Sequence, residues 1–182
     1  MKILLATLHA KYVHASLALP CLASVCAGMN GMTAVIQEFT VNEPADRVLR
    51  HLVAAEADVT AFSCYIWNIE ETLKLAADLK RVRPQTFVIL GGPEASYGVF
   101  ELMERQPAID CVVRGEGEET FRELITFLRD ELHRGTDLSG LADIPGLACR
   151  VGEDIIATSE RATYSALPIR QRVRSTGRLR ST

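Results

Sequence analysis

The 182-residue sequence is short of most patterns that announce a chemistry. Its five cysteines, at 21, 26, 64, 111 and 149, form no CxxC pair and no zinc-finger spacing. No GxGxxG or GxxxxGK occurs, so a dinucleotide turn and a Walker-type phosphate cradle lack support. GxSxG and HExxH are missing as well. No apolar run approaches the ~20 residues needed to cross a bilayer. The net charge of −3 gives no electrostatic reason to expect nucleic acid. Aromatic residues are scarce at 6%, and a single tryptophan, Trp67, stands among them.

What is present is apolar mass. Hydrophobic residues make up 48% of the chain and charged residues 24%, the balance of a folded domain with a full core. Most cysteines lie in apolar runs, where a free thiol acts as a small hydrophobe, and the reading is a reducing, cytoplasmic compartment. Lys2 followed by Leu17–Ala27 imitates a secretion signal. His9, Lys11 and His14 interrupt it, and Met1–Leu8 reads as a strand.

Strand-length apolar runs alternate with segments of helical period. Strands are expected at Lys2–Leu8, Thr33–Val41, Val59–Tyr65, Phe87–Leu90 and Cys111–Arg114. Helices are expected at Ser16–Ala27, with Ser16 as its cap, and at Pro44–Glu56, Ile69–Arg83, Tyr97–Gln106 and Glu118–His133. In the second of these Asp46 precedes Arg50 by one turn, and in the third Glu70 is expected to pair with Lys74. The third buries Ile69, Leu73, Ala76 and Leu79, and Pro84 stops it. The alternation implies an α/β fold: a three-layer, doubly wound parallel sheet of five strands. The pattern changes after His133. Gly135–Asp143 reads as a polar loop, and Leu147–Val151 with Ile155–Thr158 as a small C-terminal β-hairpin around Gly152-Glu153-Asp154.

Ligands of such sheets bind beyond the carboxyl ends of the strands. That rule selects four loops. His9–Ala15 reads HAKYVHA, and its histidines are ligands or acid/base groups, or else ordinary hydrogen-bonding members of a polar loop. Tyr65–Asn68 places Tyr65, Ile66 and Trp67 at an exposed strand end, which suits the wall of a large flat ligand or a cap on the core. Ser63 just before it is a donor to a ligand or a buried hydroxyl. Gly91-Gly92-Pro93-Glu94 permits close backbone approach, with Glu94 binding a ligand or capping the next helix. Gly115-Glu116-Gly117-Glu118 opens the last helix, where carboxylates suit the helix dipole.

Taken together, HAKYVHASLAL, LGGPEAS and VVRGEGEETF, after the first, fourth and fifth strands, resemble the N-terminal cobalamin (vitamin B12)-binding domain of B12-dependent radical SAM proteins. The resemblance spans residues 1–168. It implies a flavodoxin-like sheet in the order 2-1-3-4-5, with cobalamin over the strand ends and its nucleotide tail entering among the loops. His9, Tyr12, Val13 and His14 would face the corrin. Ser63, Tyr65, Ile66, Trp67 and Asn68 would line its lower face or tail. Gly91, Gly92, Pro93 and Glu94 would border the nucleotide loop, and Gly115, Glu116, Gly117 and Glu118 would close the site.

Two departures qualify what the resemblance implies. The Asp-x-His-x-x-Gly motif is absent, so cobalamin would be base-off with no protein histidine on cobalt. The CxxxCxxC that holds a [4Fe–4S] cluster is absent too, because Cys21 and Cys26 are wrongly spaced. The cluster and S-adenosylmethionine would therefore belong to a full-length parent. In that parent methylcobalamin could supply a methyl group, and a radical SAM catalytic domain would follow in cis. Residues 1–134 would form the cobalamin-binding domain and 135–168 the connection toward the missing barrel, which ends in Leu167-Pro168. Residues 169–182, with five arginines and no acid, would be a basic disordered or non-native tail. The expected module has no catalytic residue, no metal ligand and no activity of its own. It has no nucleic-acid or membrane partner. The alternative is a flavodoxin-like FMN-binding protein or electron carrier.

Overall fold

A computed structural model describes residues 1–10, 16–131 and 138–161. The expectations for Tyr12, Val13 and His14, for the end of the last helix at His133 and the start of the loop at Gly135, for Leu167-Pro168 and for the basic tail fall outside the described residues.

Seven strands form one sheet, β1 (Lys2–His9), β2 (Thr33–Thr40), β3 (Val59–Ser63), β4 (Phe87–Gly91), β5 (Cys111–Val113), β6 (Leu147–Val151) and β7 (Asp154–Ala157). Their spatial order is β2-β1-β3-β4-β5-β6-β7. The first five are mutually parallel, in the order 2-1-3-4-5 that the resemblance implies. The central strands are buried on both faces, which is why they read as unbroken apolar runs.

Five helices cover the sheet: α1 (Ala18–Cys26), α2 (Ala45–Ala54), α3 (Ile69–Val82), α4 (Val99–Arg105) and α5 (Gly117–Glu131). Two apolar layers result. Val48 and Leu52 of α2, Leu75 and Leu79 of α3 and Met103 of α4 pack on one face. Leu19 of α1 and Phe121, Leu124, Ile125 and Leu128 of α5 pack on the other. Each buried branched or aromatic side chain contributes roughly 1.5–3 kcal/mol of transfer free energy. The fold is thus the doubly wound one expected.

Several local features differ from the sequence reading. The hairpin is no separate addition, because β6 pairs antiparallel with β5 and extends the main sheet. Its Leu147, Ala148 and Cys149 are buried on both faces, which an isolated hairpin could not achieve. The expected loop contains a 3-10 turn at Leu138–Asp143, in which Leu141 is completely buried. The fourth helix starts two residues late, because Gly98 breaks the chain between it and a 3-10 turn at Glu94–Ser96. Lys74 bonds Glu71 at 2.7 Å rather than Glu70, the three-residue spacing being the nearer one here. In α3 the fully buried stripe is Thr72, Leu75, Ala76 and Leu79, with Ile69 and Leu73 half-buried. The Asp46–Arg50 pair forms at 3.1 Å as expected. Ser16 accepts a bond from the Leu19 N–H at 3.3 Å.

At the amino ends of the strands Asp110 ties the sheet to α3. Its carboxylate accepts the Val88 N–H at 2.6 Å and bonds Lys80 at 2.7 Å. Burial still holds its pKa above the ordinary aspartate value, with Lys80 and the Val88 N–H opposing. Among the described residues no helix is long and apolar enough to cross a membrane.

All five cysteines are free thiols; Cys21 is exposed and the other four are buried. Burial pushes Cys26 up to about 11 and Cys64 up to about 12. An aromatic disulfide reagent at pH 8 should therefore label Cys21 alone in the native protein. Cys26, Cys64, Cys111 and Cys149 should react only after unfolding, as peptide mapping of the labelled chain would show.

Candidate functional site

Five parallel strands bring their carboxyl ends to one rim, and the loops that follow them meet there. A cavity of about 250 Å³ opens at this rim between α1 and α5. Ala18, Leu19 and Leu22 of α1 form one wall, and Gly117, Glu118 and Phe121 of α5 the opposite one. Ala61, Ile89 and Val113 of the sheet form its back.

The floor is main chain. Gly92 has φ +99°, a conformation that side chains rarely permit. A Cβ built on it would lie 2.5 Å from the Cys64 carbonyl oxygen, so only glycine fits. The Cys64 N–H donates to the Gly91 carbonyl at 2.7 Å, which locks the two strand ends together. Pro93 then turns the chain away from the cavity's edge.

The loop after β3 is braced by Asn68, which is 1% exposed. Its side-chain oxygen accepts the Tyr65 N–H at 2.8 Å. Its amide donates to Leu8 O at 2.9 Å and Ser63 O at 3.2 Å. Asn68 thus ties β1, β3 and the turn into one piece. The turn stacks Tyr65 on Trp67, with ring centroids 4.7 Å apart and planes within 3°. Tyr65 lines the cavity and Trp67 backs it from outside, half exposed.

Of the residues expected at the site, Ser63, Tyr65, Gly91, Gly92, Pro93, Gly115, Glu116, Gly117 and Glu118 line this cavity. His9, Ile66, Trp67, Asn68 and Glu94 do not. His9 contacts Glu38 of β2 at 3.2 Å. Ile66 projects into solvent. Glu94 neither lines the cavity nor caps α4, whose N-cap is Gly98. Sequence reasoning missed Ala18, Leu19, Leu22, Ala61, Phe62, Ile89, Val113 and Phe121. All eight are apolar residues within strands or helices, or beside their starts, and the only signal they carry is that of core. Among the described residues no histidine lines the cavity, and no group of three His, Cys, Asp or Glu side chains could hold a metal ion.

This geometry meets independent comparison. Residues 3–125 match a family model described as the B12 binding domain. The chain belongs to the B12-binding domain family. Its curated relatives include the cobalamin-dependent radical SAM methyltransferase TokK of Streptomyces tokunonensis. That protein is 33% identical over 116 residues, 64% of this chain and 15% of its own length. The hopanoid C-3 methylase of Methylococcus capsulatus is 32% identical over 129 residues, 67% of this chain and 25% of its own. The matched segment therefore spans a quarter or less of these proteins. Among solved structures, the cobalamin-dependent S-adenosylmethionine radical enzyme OxsB matches 89% of this chain and 22% of its own, at a TM-score of 0.68 and 15% identity. That likeness concerns the fold. This B12-binding domain resembles those of cobalamin-dependent radical SAM methyltransferases.

The cavity fits part of such a cofactor. Its volume lies just below the roughly 300–1,000 Å³ of drug-sized pockets, so it takes an arm of a large ligand and not a macrocycle. Apolar walls and a side-chain-free floor suit a flat ring system.

Replacing Asn68 with alanine strips the Tyr65 N–H and the Leu8 carbonyl of this partner, while Ser63 O keeps the Thr7 hydroxyl. Asn68→Ala should lower stability by about 2–3 kcal/mol, read as a lower urea midpoint at unchanged m-value.

Proposed function

We propose that the chain binds cobalamin in a base-off form, with the nucleotide tail in the α1–α5 cavity and the corrin over the rim above it. The observation that carries this reading is the cavity itself: narrow, apolar, floored by Gly91–Gly92 main chain and open at the strand ends. Leu19, Leu22 and Phe121 would clasp the planar end of the tail. Tyr65, held flat by Trp67, would present its face at the mouth. Ser63 and the Gly115–Glu118 segment would offer the polar contacts. The lack of an Asp-x-His-x-x-Gly motif in the sequence supports binding with no protein ligand to cobalt.

Bound cobalamin would supply a cobalt centre suited to methyl transfer. The domain's own residues hold and orient it, and keep water from the tail. We further propose that the domain works in cis with a radical SAM domain carrying the [4Fe–4S] cluster and binding S-adenosylmethionine, in a methyltransferase. TokK, a cobalamin-dependent radical SAM methyltransferase much longer than this chain, supports that arrangement. Four buried thiols suit a reducing, cytoplasmic setting. The family match and the relatives leave the FMN alternative without support.

The test is retention of colour. The purified protein is mixed with hydroxocobalamin or with FMN, freed of unbound ligand and scanned in the visible. Corrin should be retained and flavin should not; retained flavin without corrin refutes the reading. Leu22→Trp places a bulky ring in the cavity from the half-buried face of α1. It should weaken hydroxocobalamin binding at least ~10-fold with the fold intact by circular dichroism.

A further inference from the structure

The strands added after β5 decide where the chain goes next. β6 runs against β5 and β7 against β6, so β7 points the same way as the five parallel strands. The chain therefore leaves β7 at the rim that carries the cavity. There the departing residues are tied down in part by Arg114 and Thr120, which flank residues of the cavity's wall.

Five hydrogen bonds do this. Thr158 Oγ1 accepts the Leu147 N–H at 2.9 Å, and the Gly146 N–H donates to Ser159 O at 2.7 Å. Arg114, the residue immediately before Gly115, donates from Nη2 to Thr158 O. Arg161 then reaches back to α5. Its Nε donates to Thr120 Oγ1 at 2.9 Å, and its Nη2 to Glu123 Oε2 at 2.6 Å. Thr120 is wholly buried, and it stands between Glu118 and Phe121, both of which line the cavity. Its hydroxyl hydrogen goes to Pro145 O at 3.1 Å, leaving the oxygen to accept from Arg161. Gly146 has φ +85°, and a Cβ there would lie 2.7 Å from Thr120 Oγ1. The strand is thus held against α5 as closely as a glycine allows.

The Arg161–Glu123 bond is charge-assisted and only partly exposed, with side chains 23% and 40% accessible. With Nε on Thr120 and Nη2 on Glu123, the planar guanidinium spans two acceptors and so holds an angle as well as a distance. Arg161 lies outside the segment matched by the family model, so its role is not one that the family match assigns.

We propose that Arg161 is a positioning residue, a latch that fixes the segment leaving β7 to the start of α5, so that filling the cavity and ordering residues 158–161 favour one another. This rests on the cavity being the cobalamin site. The coupling is reciprocal: a ligand that steadies Gly115–Phe121 steadies the latch, and the latch in turn strengthens ligand binding. Whatever follows residue 161 then starts from a direction set at the cofactor's rim.

The experiment uses the complete 182-residue protein and hydroxocobalamin as the probe. Affinity is read by visible spectroscopy, and amide hydrogen exchange is followed with and without the corrin. In the wild type, hydroxocobalamin should slow exchange at residues 114–121 and also at 158–161. Arg161→Ala should abolish the second effect and weaken binding about fivefold. Its thermal midpoint should stay within a few degrees of the wild type. Arg161→Lys, which keeps the charge but not the planar guanidinium, should fall between the two. If Arg161→Ala folds poorly, Glu123→Gln removes the charged partner and should give the same uncoupling.

If Arg161→Ala binds hydroxocobalamin within twofold of the wild type, or retains the protection at 158–161, the latch is refuted. The cobalamin reading then still stands on the Leu22→Trp result. If the wild type holds no hydroxocobalamin, both fall together.

Discussion

Two stretches of bare backbone in contact set the geometry of the carboxyl rim. Gly92 lies so close to Cys64 that no side chain fits between them, and a hydrogen bond from Cys64 to Gly91 holds them there. This contact keeps the ends of β3 and β4 level. It lets the Tyr65 turn and the Gly-Gly-Pro turn diverge from a common floor. A larger residue at position 92 would push the two loops apart and disturb that floor.

The cavity above the floor is a gap in a layer that is otherwise filled. On that face of the sheet Leu19, Phe121, Leu124 and Ile125 pack at full burial. Protein interiors rarely leave such space vacant, because lining atoms lose their contacts. Here α1 and α5 stand apart at their amino ends, where glycine and small residues, Ala18, Gly115 and Gly117, replace bulk. On the opposite face α2, α3 and α4 carry a continuous core. The asymmetry between the faces is what makes one of them a binding face.

The sequence told part of this and withheld part for physical reasons. The buried strands and the stripes of α2, α3 and α5 are legible, because period and apolarity follow directly from which surfaces meet. The turn at Gly152 revealed the hairpin, yet nothing in its pattern names β5 as its neighbour. Pairing partners depend on the whole sheet. The glycine loops were legible as places where backbone is left bare. The apolar lining was not. Leu22 and Phe121 have the same spacing whether they face a neighbour or a void. Asn68 entered through the resemblance, as a residue lining the corrin's lower face or tail, but its amide is spent on holding the turn. The contacts of Thr158 and Arg161 were invisible, since they join residues some forty positions apart.

The stacked pair at the cavity mouth gives the protein a built-in optical gauge. Trp67 is the only tryptophan in the chain, and it lies flat against a ring that lines the cleft. Its fluorescence therefore comes from one place, a single aromatic thickness from the ligand space. A strongly absorbing macrocycle settling on Tyr65 would darken that emission, while events at the far end of the sheet would leave it bright.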